Sequence, residues 1–322
     1  MDIFSLDIGG SSIKRAVVNV NKHGAEIVQR LPAIELHSRT FTEVKNQVLA
    51  AVESHSKATR RKAVVAISTS GAVDRAGFVW TSGHFDGYRN VDWSVLLSSS
   101  LRKHVASVTV VNDGKASAWA EFQKIASKDE VFAHYVIGTG VGGALTCFGR
   151  LVYGDEDTAG ALGHMKIAPG TDIVCSCQRR AGCVETVASA PAIARYYASS
   201  LRRDEKDSPV TFESTFLAAQ SGDPRAVTAF RTAGEWLGLA IGNIINILNP
   251  RHITIGGGVA LASMEIDVSD DGGPYISSAI TRARETAFED VAVGTDIRPA
   301  TFGNDGGLLG AALLSAINTK HR

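Results

Sequence analysis

Glycine-rich turns that follow predicted strands are the parts of this sequence best suited to phosphate chemistry. The first, Gly9-Gly10-Ser11-Ser12, lies between strands predicted over residues 3–8 and 13–20. Glycines allow backbone amides to approach a phosphate closely, and the hydroxyls and Lys14 can complete the site. Asp7 stands at the strand end, where it could hold a hydrated Mg²⁺. Two glycines alone more often form a plain hairpin turn, and it is the full string that favours a phosphate site.

Two further glycine turns occur in the second half of the chain. Gly138-Thr139-Gly140-Val141-Gly142-Gly143 formally matches the dinucleotide-binding fingerprint G-x-G-x-x-G. That fingerprint requires a helix immediately after it, whereas residues 144–148 are typical of a strand. We therefore disfavour a Rossmann site and predict a second phosphate-contacting hairpin. Gly256-Gly257-Gly258 follows a strand predicted over residues 252–255 and suits the close approach of a nucleotide. No Walker A string G-x-x-x-x-G-K-[ST] occurs, which excludes a P-loop enzyme.

A carboxylate and an amide stand where another predicted strand gives way to a helix. Asn112 and Asp113 follow the strand predicted over residues 107–111 and precede a helix predicted over residues 116–126. Ligands of α/β sheets bind at such strand ends. Phosphoryl transfer to a hydroxyl needs a carboxylate that orients the hydroxyl and accepts its proton. Asp113 is a candidate for this role, although aspartate is also a favoured helix N-cap and needs no chemistry there.

Strands and helices alternate along the chain, which predicts an α/β fold with a mixed sheet. The 322 residues exceed the usual size of one hydrophobic core, so we expect two domains, with a boundary near residue 115. The other helices are predicted over residues 41–54, 188–201, 225–248 and 308–317.

Composition excludes several classes of partner. The formal net charge is zero, so the chain lacks the basic surface that nucleic-acid binding needs. The most apolar stretch, residues 237–248, is too short to span a bilayer, and no targeting segment is visible at the N-terminus. We expect a cytoplasmic protein with no nucleic-acid or membrane partner. In that compartment thiols stay reduced, so the clustered cysteines 175, 177 and 183 indicate a metal rather than disulfides.

Together these strings resemble, in order and over essentially the whole chain, the ROK family of bacterial sugar kinases and sugar-responsive repressors. Residues 7–14 resemble its first phosphate motif, Asn112-Asp113 its catalytic pair, and residues 138–143 its second phosphate motif. Residues 159–165 resemble its A-G-E-[IL]-G-H-M segment, residues 175–185 its zinc and sugar segment, and residues 249–259 its adenosine-side motif.

The resemblance implies a glucokinase-like kinase with the two-domain actin-like ATPase (ribonuclease H-like) fold and its active site in an interdomain cleft. The expected domains are residues 1–115, completed by the C-terminal helix at about 304–322, and residues 116–303, which carry the zinc loop. ATP, Mg²⁺, a structural Zn²⁺ and a small-molecule sugar are the expected ligands, and a homodimer is the expected assembly.

The resemblance also assigns residues to roles. Asp113 is the expected catalytic base, and the expected sugar contacts are Gly71, Asn112, His164 and Glu185. One histidine and three cysteines form a common closed zinc site, here His164, Cys175, Cys177 and Cys183. Reduced core cysteines are the alternative. The expected ATP contacts are Asp7, Gly9, Gly10, Ser11, Ser12, Lys14, Gly138, Thr139, Gly140, Gly142, Gly257, Gly258 and Val259.

Some positions depart from the family pattern. Ala161 stands where a sugar-binding glutamate is usual, and Gln178 where a glycine usually follows the second cysteine. Residues 68–71 replace a segment that usually ends in Pro-Gly, and the loop to Cys183 is one residue longer than expected. These departures bear on the identity of the sugar more than on the kinase assignment.

Two rival functions remain to be weighed against the kinase. A sugar-sensing repressor would carry a helix-turn-helix domain before the first phosphate motif, and here that motif begins at Asp7. A sugar-binding protein without catalysis would not need Asp113, Lys14 and both glycine turns. A kinase assay with a panel of sugars separates the three.

Overall fold

The first glycine turn joins two strands of a five-stranded mixed sheet in the computed structural model, which describes residues 1–83, 85–178, 182–202, 209–268 and 272–320. The strands are β1 (Asp2–Ile8), β2 (Ser12–Asn21), β3 (Gly24–Glu35), β4 (Ala63–Thr69) and β8 (Val105–Asn112), in the order β3-β2-β1-β4-β8. β1 runs antiparallel to β2 and parallel to β4, and β4 is parallel to β8. The carboxyl ends of β1, β4 and β8 therefore share one edge of the sheet.

Four helices and a small antiparallel sheet complete this part of the chain. The helices are α1 (Phe41–Thr59), α2 (Trp93–Ser100), α3 (Asp113–Ile125) and the C-terminal helix Gly306–Lys320; the small sheet contains β5 (Ala72–Val73), β6 (Phe78–Thr81) and β7 (Arg89–Asp92). The C-terminal helix packs closely on α3, because a Cβ atom at Gly310 would lie 1.7 Å from the carbonyl oxygen of Ala116.

A second five-stranded sheet repeats the strand order of the first. Its strands are β9 (Val131–Ile137), β10 (Val141–Cys147), β11 (Arg150–Leu151), β12 (His252–Gly256) and β13 (Asp296–Pro299), in the order β11-β10-β9-β12-β13. β9 is antiparallel to β10 and parallel to β12. Numbered along its own stretch of chain, each sheet has the order 3-2-1-4-5, although the sequence contains no detectable repeat.

Seven helices are described in the same part of the chain as the second sheet, and the longest packs closely on a neighbour. They are α4 (Val184–Ala188), α5 (Ala190–Ser200), α6 (Phe212–Gln220), α7 (Pro224–Leu248), α8 (Gly258–Met264), α9 (Gly273–Thr286) and α10 (Glu289–Ala292). α7 presents Gly234, Gly238 and Gly242 to α9, where an added Cβ would lie 2.2–2.5 Å from the nearest atom. Glycine at every fourth position thus lets the two helix backbones approach.

The chain folds into two compact units. Unit 1 comprises Met1–Ile125, Leu151–Gly160 and Asp305–Arg322, and unit 2 comprises Ala126–Arg150 and Ala161–Asn304. The domain boundary near residue 115 stays a prediction; the units divide after Ile125. Residues 321 and 322, the end of the segment expected to complete the first domain, lie outside the described residues. The interdomain cleft likewise stays a prediction. In the described part of the chain, no helix is long and apolar enough to cross a membrane.

Candidate active site and metal-binding cluster

Asp7, at the carboxyl end of β1, is held by neighbours on two strands. Its Oδ1 accepts a hydrogen bond of 2.7 Å from the hydroxyl of Ser68 on β4. Lys14 lies opposite it on β2, with 3.5 Å between the ammonium nitrogen and Asp7 Oδ2. The Asp7 side chain is only 15% exposed, so the carboxylate is mostly buried and is held by both contacts. This arrangement suits a carboxylate that binds a hydrated cation.

The turn at residues 9–12 is tight, with a hydrogen bond of 3.0 Å from the amide of Gly9 to the carbonyl of Ser12. Gly9, Gly10 and Ser11 are exposed, whereas Ser12 is half-buried at the start of β2. Neither glycine has a positive φ, so the turn itself does not require glycine. At Gly9 an added Cβ would lie 3.4 Å from the carbonyl oxygen of Ser12, and the exposed backbone amides of the turn could contact a phosphate.

Asn112, rather than Asp113, caps α3. Its Oδ1 accepts a hydrogen bond of 3.0 Å from the backbone amide of Lys115, the usual N-cap geometry, while Asp113 is the first helical residue. Asp113 Oδ1 accepts hydrogen bonds from the Asn112 side-chain amide (3.0 Å) and the Gly114 backbone amide (2.8 Å). The alternative reading of Asp113 as the N-cap is therefore wrong. Asp113 is exposed and stands at the sheet edge that carries Asp7.

Gly71 must be glycine because of its backbone conformation and its surroundings. Its φ is 107°, and an added Cβ would lie 2.1 Å from the carbonyl oxygen of Thr81. Its carbonyl accepts a hydrogen bond of 3.0 Å from the Asn112 side-chain amide. Gly71 and the predicted catalytic pair are thus joined within unit 1.

The hydroxyl of Tyr88 holds the segment before Gly71 in place through polar contacts. It lies 3.1 Å from Thr69 Oγ1 and accepts a hydrogen bond of 2.7 Å from the indole of Trp93. Burial raises the pKa of Tyr88 to about 12, so the hydroxyl stays protonated and able to bridge the two groups.

A buried lysine lies in the first turn of α3, and sequence patterns gave no reason to select it. The ammonium of Lys115 donates a hydrogen bond of 3.0 Å to the carbonyl of Asp157 and lies 4.9 Å from the centre of the Tyr153 ring. Burial lowers the pKa of Lys115, while the nearby Asp157 carboxylate acts in the opposite direction. Arg75 binds the same Asp157 carboxylate at 3.1 Å. These contacts attach the segment Leu151–Gly160 to unit 1.

In unit 2, the second glycine motif is a turn of three residues followed by a strand. Gly138 donates a backbone hydrogen bond of 2.9 Å to the carbonyl of Gly140, and Val141 begins β10. The prediction of a strand after the motif is confirmed, and a Rossmann site is excluded because no helix follows. Gly142 and Gly143 lie within β10 rather than in the turn.

The third glycine motif lies against the end of β9. Gly257 has a φ of 90°, and an added Cβ would lie 2.3 Å from the carbonyl oxygen of Ile137, so only glycine fits. This contact brings Gly258 and Val259 beside Gly138 and Thr139, and the four residues line one cavity of about 600 Å³. A cavity of this size is suited to a ligand such as a nucleoside.

The other walls of this cavity are mostly apolar and come from segments that no sequence pattern connected to the glycine motifs. One wall carries Ala190, Ala194 and Ala198 from one face of α5, and another carries Phe212. Arg195 also lines the cavity and donates to the carbonyl of Thr186. Alanines spaced four residues apart were the available signal, but such a stripe is usually a packing surface.

The four predicted zinc ligands come together in unit 2. One ligand atom each from His164, Cys175, Cys177 and Cys183 lies within 4.8 Å of the others. Cys175 Sγ is 3.4 Å from His164 Nδ1, and Cys177 Sγ is 3.7 Å from Cys183 Sγ. Tetrahedral zinc bonds of about 2.0–2.3 Å place neighbouring ligand atoms about 3.5–3.8 Å apart. The residues therefore fit a closed zinc site, and none of the four cysteines forms a disulfide.

Glu185 connects the cysteine loop to the second glycine turn. Its Oε1 accepts a hydrogen bond of 2.6 Å from the Ser176 hydroxyl, and its Oε2 accepts one of 3.1 Å from the backbone amide of Val141. An added Cβ at Gly140 would lie 2.4 Å from Oε2, so Gly140 leaves room for the carboxylate. Cys175 Sγ also lies 3.4 Å from Oε1, and because a carboxylate has about four lone-pair sites, capacity for one further donor remains.

Gly307 is a site residue that the sequence reasoning missed. An added Cβ there would lie 2.7 Å from Asp7 Oδ1 and 2.9 Å from the hydroxyl of Ser68. Glycine at this position lets the N-terminus of the last helix approach the Asp7 carboxylate. The signal was the pair Gly306-Gly307, which forms the first two residues of the last helix although glycine is a poor helix former.

The predicted site residues thus form two groups. Unit 1 brings together Asp7, the turn at residues 9–12, Lys14, Gly71, Asn112 and Asp113 along one sheet edge. Unit 2 brings together the second and third glycine motifs, the cysteine loop, His164 and Glu185.

Comparison with known proteins identifies the family of this chain. The model of the ROK family matches residues 3–317. The chain is 29% identical to a glucokinase of Halalkalibacterium halodurans, covering 96% of this chain and 93% of that protein. It is also 29% identical to an N-acetylmannosamine kinase of Citrobacter koseri, over 98% and 99% of the two chains.

Solved structures of ROK-family proteins are similar to this chain over nearly its whole length. A ROK family glucokinase from Streptomyces griseus in complex with glucose and AMPPNP has a TM-score of 0.78 at 24% identity, over 98% of this chain and 100% of that one. A ROK family transcriptional regulator, a homologue of the Escherichia coli MLC protein, has a TM-score of 0.78 at 26% identity, over 98% and 78% of the two chains.

The chain has the actin-like ATPase fold. Its two sheets share one strand order; the first carries an acid at its edge, and the second lies beside a nucleoside-sized cavity. Within that fold class the chain belongs to the ROK family.

Proposed function

We propose that this ROK-family chain is an ATP-dependent sugar kinase that transfers the γ-phosphoryl group to O6 of a hexose or hexose derivative. The observation that carries the proposal is the placement of Asp113. Its carboxylate is exposed at the carboxyl edge of the sheet, while the adjacent Asn112 caps the helix. The relatives named glucokinase and N-acetylmannosamine kinase support the same reaction class.

Asp113 acts as the general base. It accepts the proton of the sugar hydroxyl while that oxygen forms a bond to the γ-phosphorus, and the bond from phosphorus to the bridging oxygen of ADP breaks. The side-chain amide of Asn112 orients the Asp113 carboxylate and the Gly71 carbonyl through two hydrogen bonds of 3.0 Å. Direct contacts of Asn112 and Gly71 with the sugar stay predictions.

We assign the ATP contacts to residues of both units. In unit 1, Asp7 would hold hydrated Mg²⁺, with Lys14 and the turn at residues 9–12 near the phosphates. In unit 2, the cavity bordered by Gly138, Thr139, Gly258 and Val259 would hold the adenosine. Gly140 and Gly142 remain predicted phosphate contacts.

Zinc is the metal that His164 and the three cysteines would hold, and its contribution would be structural. When bound, it would fix the loop that presents Glu185 and His164. His164 points Nδ1 toward the cluster, which leaves Nε2 available for a sugar hydroxyl. Glu185 would accept a second sugar hydroxyl. A cytoplasmic location and a homodimer stay predictions.

Substitutions at position 161 test which sugar the enzyme prefers. Ala161 is exposed directly before the short 3₁₀ turn Leu162–His164, and it removes the charged acceptor usual in the family. We expect Ala161→Glu to raise kcat/KM for glucose relative to N-acetylmannosamine by about 10- to 100-fold, because a hydrogen bond to a charged group contributes about 1.5–3 kcal/mol.

Ala161→Gln is the matched control, since glutamine has the same shape without the charge. Steady-state kinetics with both sugars measure the effect. An Ala161→Glu enzyme whose preference equals that of the native protein would show that position 161 does not determine selectivity.

The kinase proposal itself is tested by coupled measurement of ADP formation with a panel of glucose, mannose, N-acetylmannosamine, N-acetylglucosamine and simple glycosides. We expect turnover that depends on one of these sugars and on Mg²⁺. Binding of a sugar without ADP formation would favour a sugar-sensing ROK protein without kinase activity, an alternative that the kinase relatives do not favour.

A further inference from the structure

We infer that Lys166 is a positioning residue of the metal cluster, whose ammonium binds the Cys183 thiolate and offsets the negative charge of the ligand set. The inference rests on the proposed zinc site and adds a residue outside the four ligands. The Lys166 Nζ atom lies 2.7 Å from Cys183 Sγ.

Backbone pairing holds the two residues beside each other, whatever the conformation of the lysine side chain. Lys166 and Cys183 are directly opposed in an antiparallel bridge. The bridge is flanked by hydrogen bonds from the amide of Ile167 to the carbonyl of Gly182 (3.0 Å) and from the amide of Val184 to the carbonyl of Met165 (2.9 Å). This pattern defines a non-hydrogen-bonded pair, whose side chains leave the same face at the closest cross-strand spacing.

The bridge is itself fixed by Gly182. That residue has a φ of 63°, and an added Cβ would lie 1.7 Å from the carbonyl oxygen of Ala168. Only glycine therefore fits where the chain enters the bridge, and Lys166 is the residue placed opposite Cys183.

Charge explains why a cation is useful at this position. Three thiolates and one Zn²⁺ carry a net charge of −1, because the histidine ligand is neutral. The carboxylate of Glu185 lies 3.4 Å from Cys175 Sγ and adds another negative charge beside the cluster. Without Lys166, the thiolates would face this carboxylate with no compensating cation from the bridge strand.

The experiment compares zinc affinity in the full-length protein and in Lys166→Arg, Lys166→Met and Lys166→Glu variants. Zinc content is measured first, and zinc transfer to a chromogenic chelator at constant pH then gives the affinity. Lys166 is exposed, so its truncation opens no cavity. The control is Lys128→Met, which removes an exposed lysine elsewhere in unit 2.

We expect Lys166→Met to weaken zinc binding by about 10- to 100-fold, the usual effect of losing a partner of a metal ligand. Lys166→Glu should weaken it further, whereas Lys166→Arg and Lys128→Met should match the native protein. In the cobalt-substituted protein, the thiolate-to-cobalt charge-transfer band should shift in Lys166→Met and not in Lys128→Met.

Two negative results have different meanings. Native protein that contains zinc and a Lys166→Met variant of equal affinity and unchanged cobalt spectrum would overturn the role of Lys166 alone. Native protein without zinc would overturn the metal site and this inference with it, while the kinase assay would still report on the proposed activity.

Discussion

We expect the Asp113→Asn enzyme to turn over about 100- to 10,000-fold more slowly than the native protein, which is the usual contribution of a general base. Asparagine keeps the shape of the side chain but cannot accept the proton of the sugar hydroxyl. α3 should stay intact because Asn112, not Asp113, accepts the capping hydrogen bond. Single-turnover measurement with Mg-ATP and the best sugar of the panel gives the rate of the chemical step.

Asp92→Asn is the matched control. Asp92 also ends a strand and precedes a helix, but its carboxylate caps α2 through the amides of Ser94 and Val95. Asparagine caps helices about as well as aspartate, so this variant should retain native turnover and a native melting temperature. If Asp113→Asn retained native turnover as well, Asp113 would only contribute a favourable charge at the start of α3.

Replacing Cys177 with alanine should remove nearly all zinc from a protein that otherwise contains about one zinc per chain. Cys177 is half-buried, unlike the buried Cys175 and Cys183, so its loss tests metal binding more than packing. The melting temperature should fall, because binding of a structural zinc contributes directly to folding free energy. Turnover should fall too, since Glu185 joins the cysteine loop to the second glycine turn.

Cys147→Ser provides the control for thiol loss in general. Cys147 lies on β10 outside the cluster and is likewise half-buried. Elemental analysis should find the native zinc content in this variant. Equal zinc content in Cys177→Ala and the native protein would show that Cys177 is not a zinc ligand. A native protein without zinc would show that the cysteines contribute to packing rather than to metal binding.

The strand ends that carry chemistry could be predicted from the sequence because each combines an apolar run with a glycine turn or an acid. The strand after Gly138-Thr139-Gly140 was the decisive case, since its residue types indicated a hairpin rather than a dinucleotide site. β3 was missed because it is mostly exposed and contains Pro32, so it lacks the alternating apolar pattern of a half-buried strand.

Other features depend on contacts between distant segments and had no local signal. Asn112 and Asp113 are both good caps, and only the hydrogen bond to Lys115 shows which residue serves. Gly307 matters because it lies beside Asp7, which is about 300 residues away in the sequence. Likewise, residues of α5 and Phe212 line the same cavity, and no pattern within either segment predicts that the two lie close together.

The path of the chain through the two units constrains the order in which they can be completed during synthesis. Unit 1 contains the N-terminal sheet, yet α3 packs on the helix Gly306–Lys320, and the Ser5 hydroxyl donates to the carbonyl of Leu308. On the ribosome, the first sheet therefore emerges long before the helix that covers it. Unit 2 has all of its residues once position 304 has been translated. The part that is made first is thus finished last, and its uncovered apolar face must stay protected until the final helix docks.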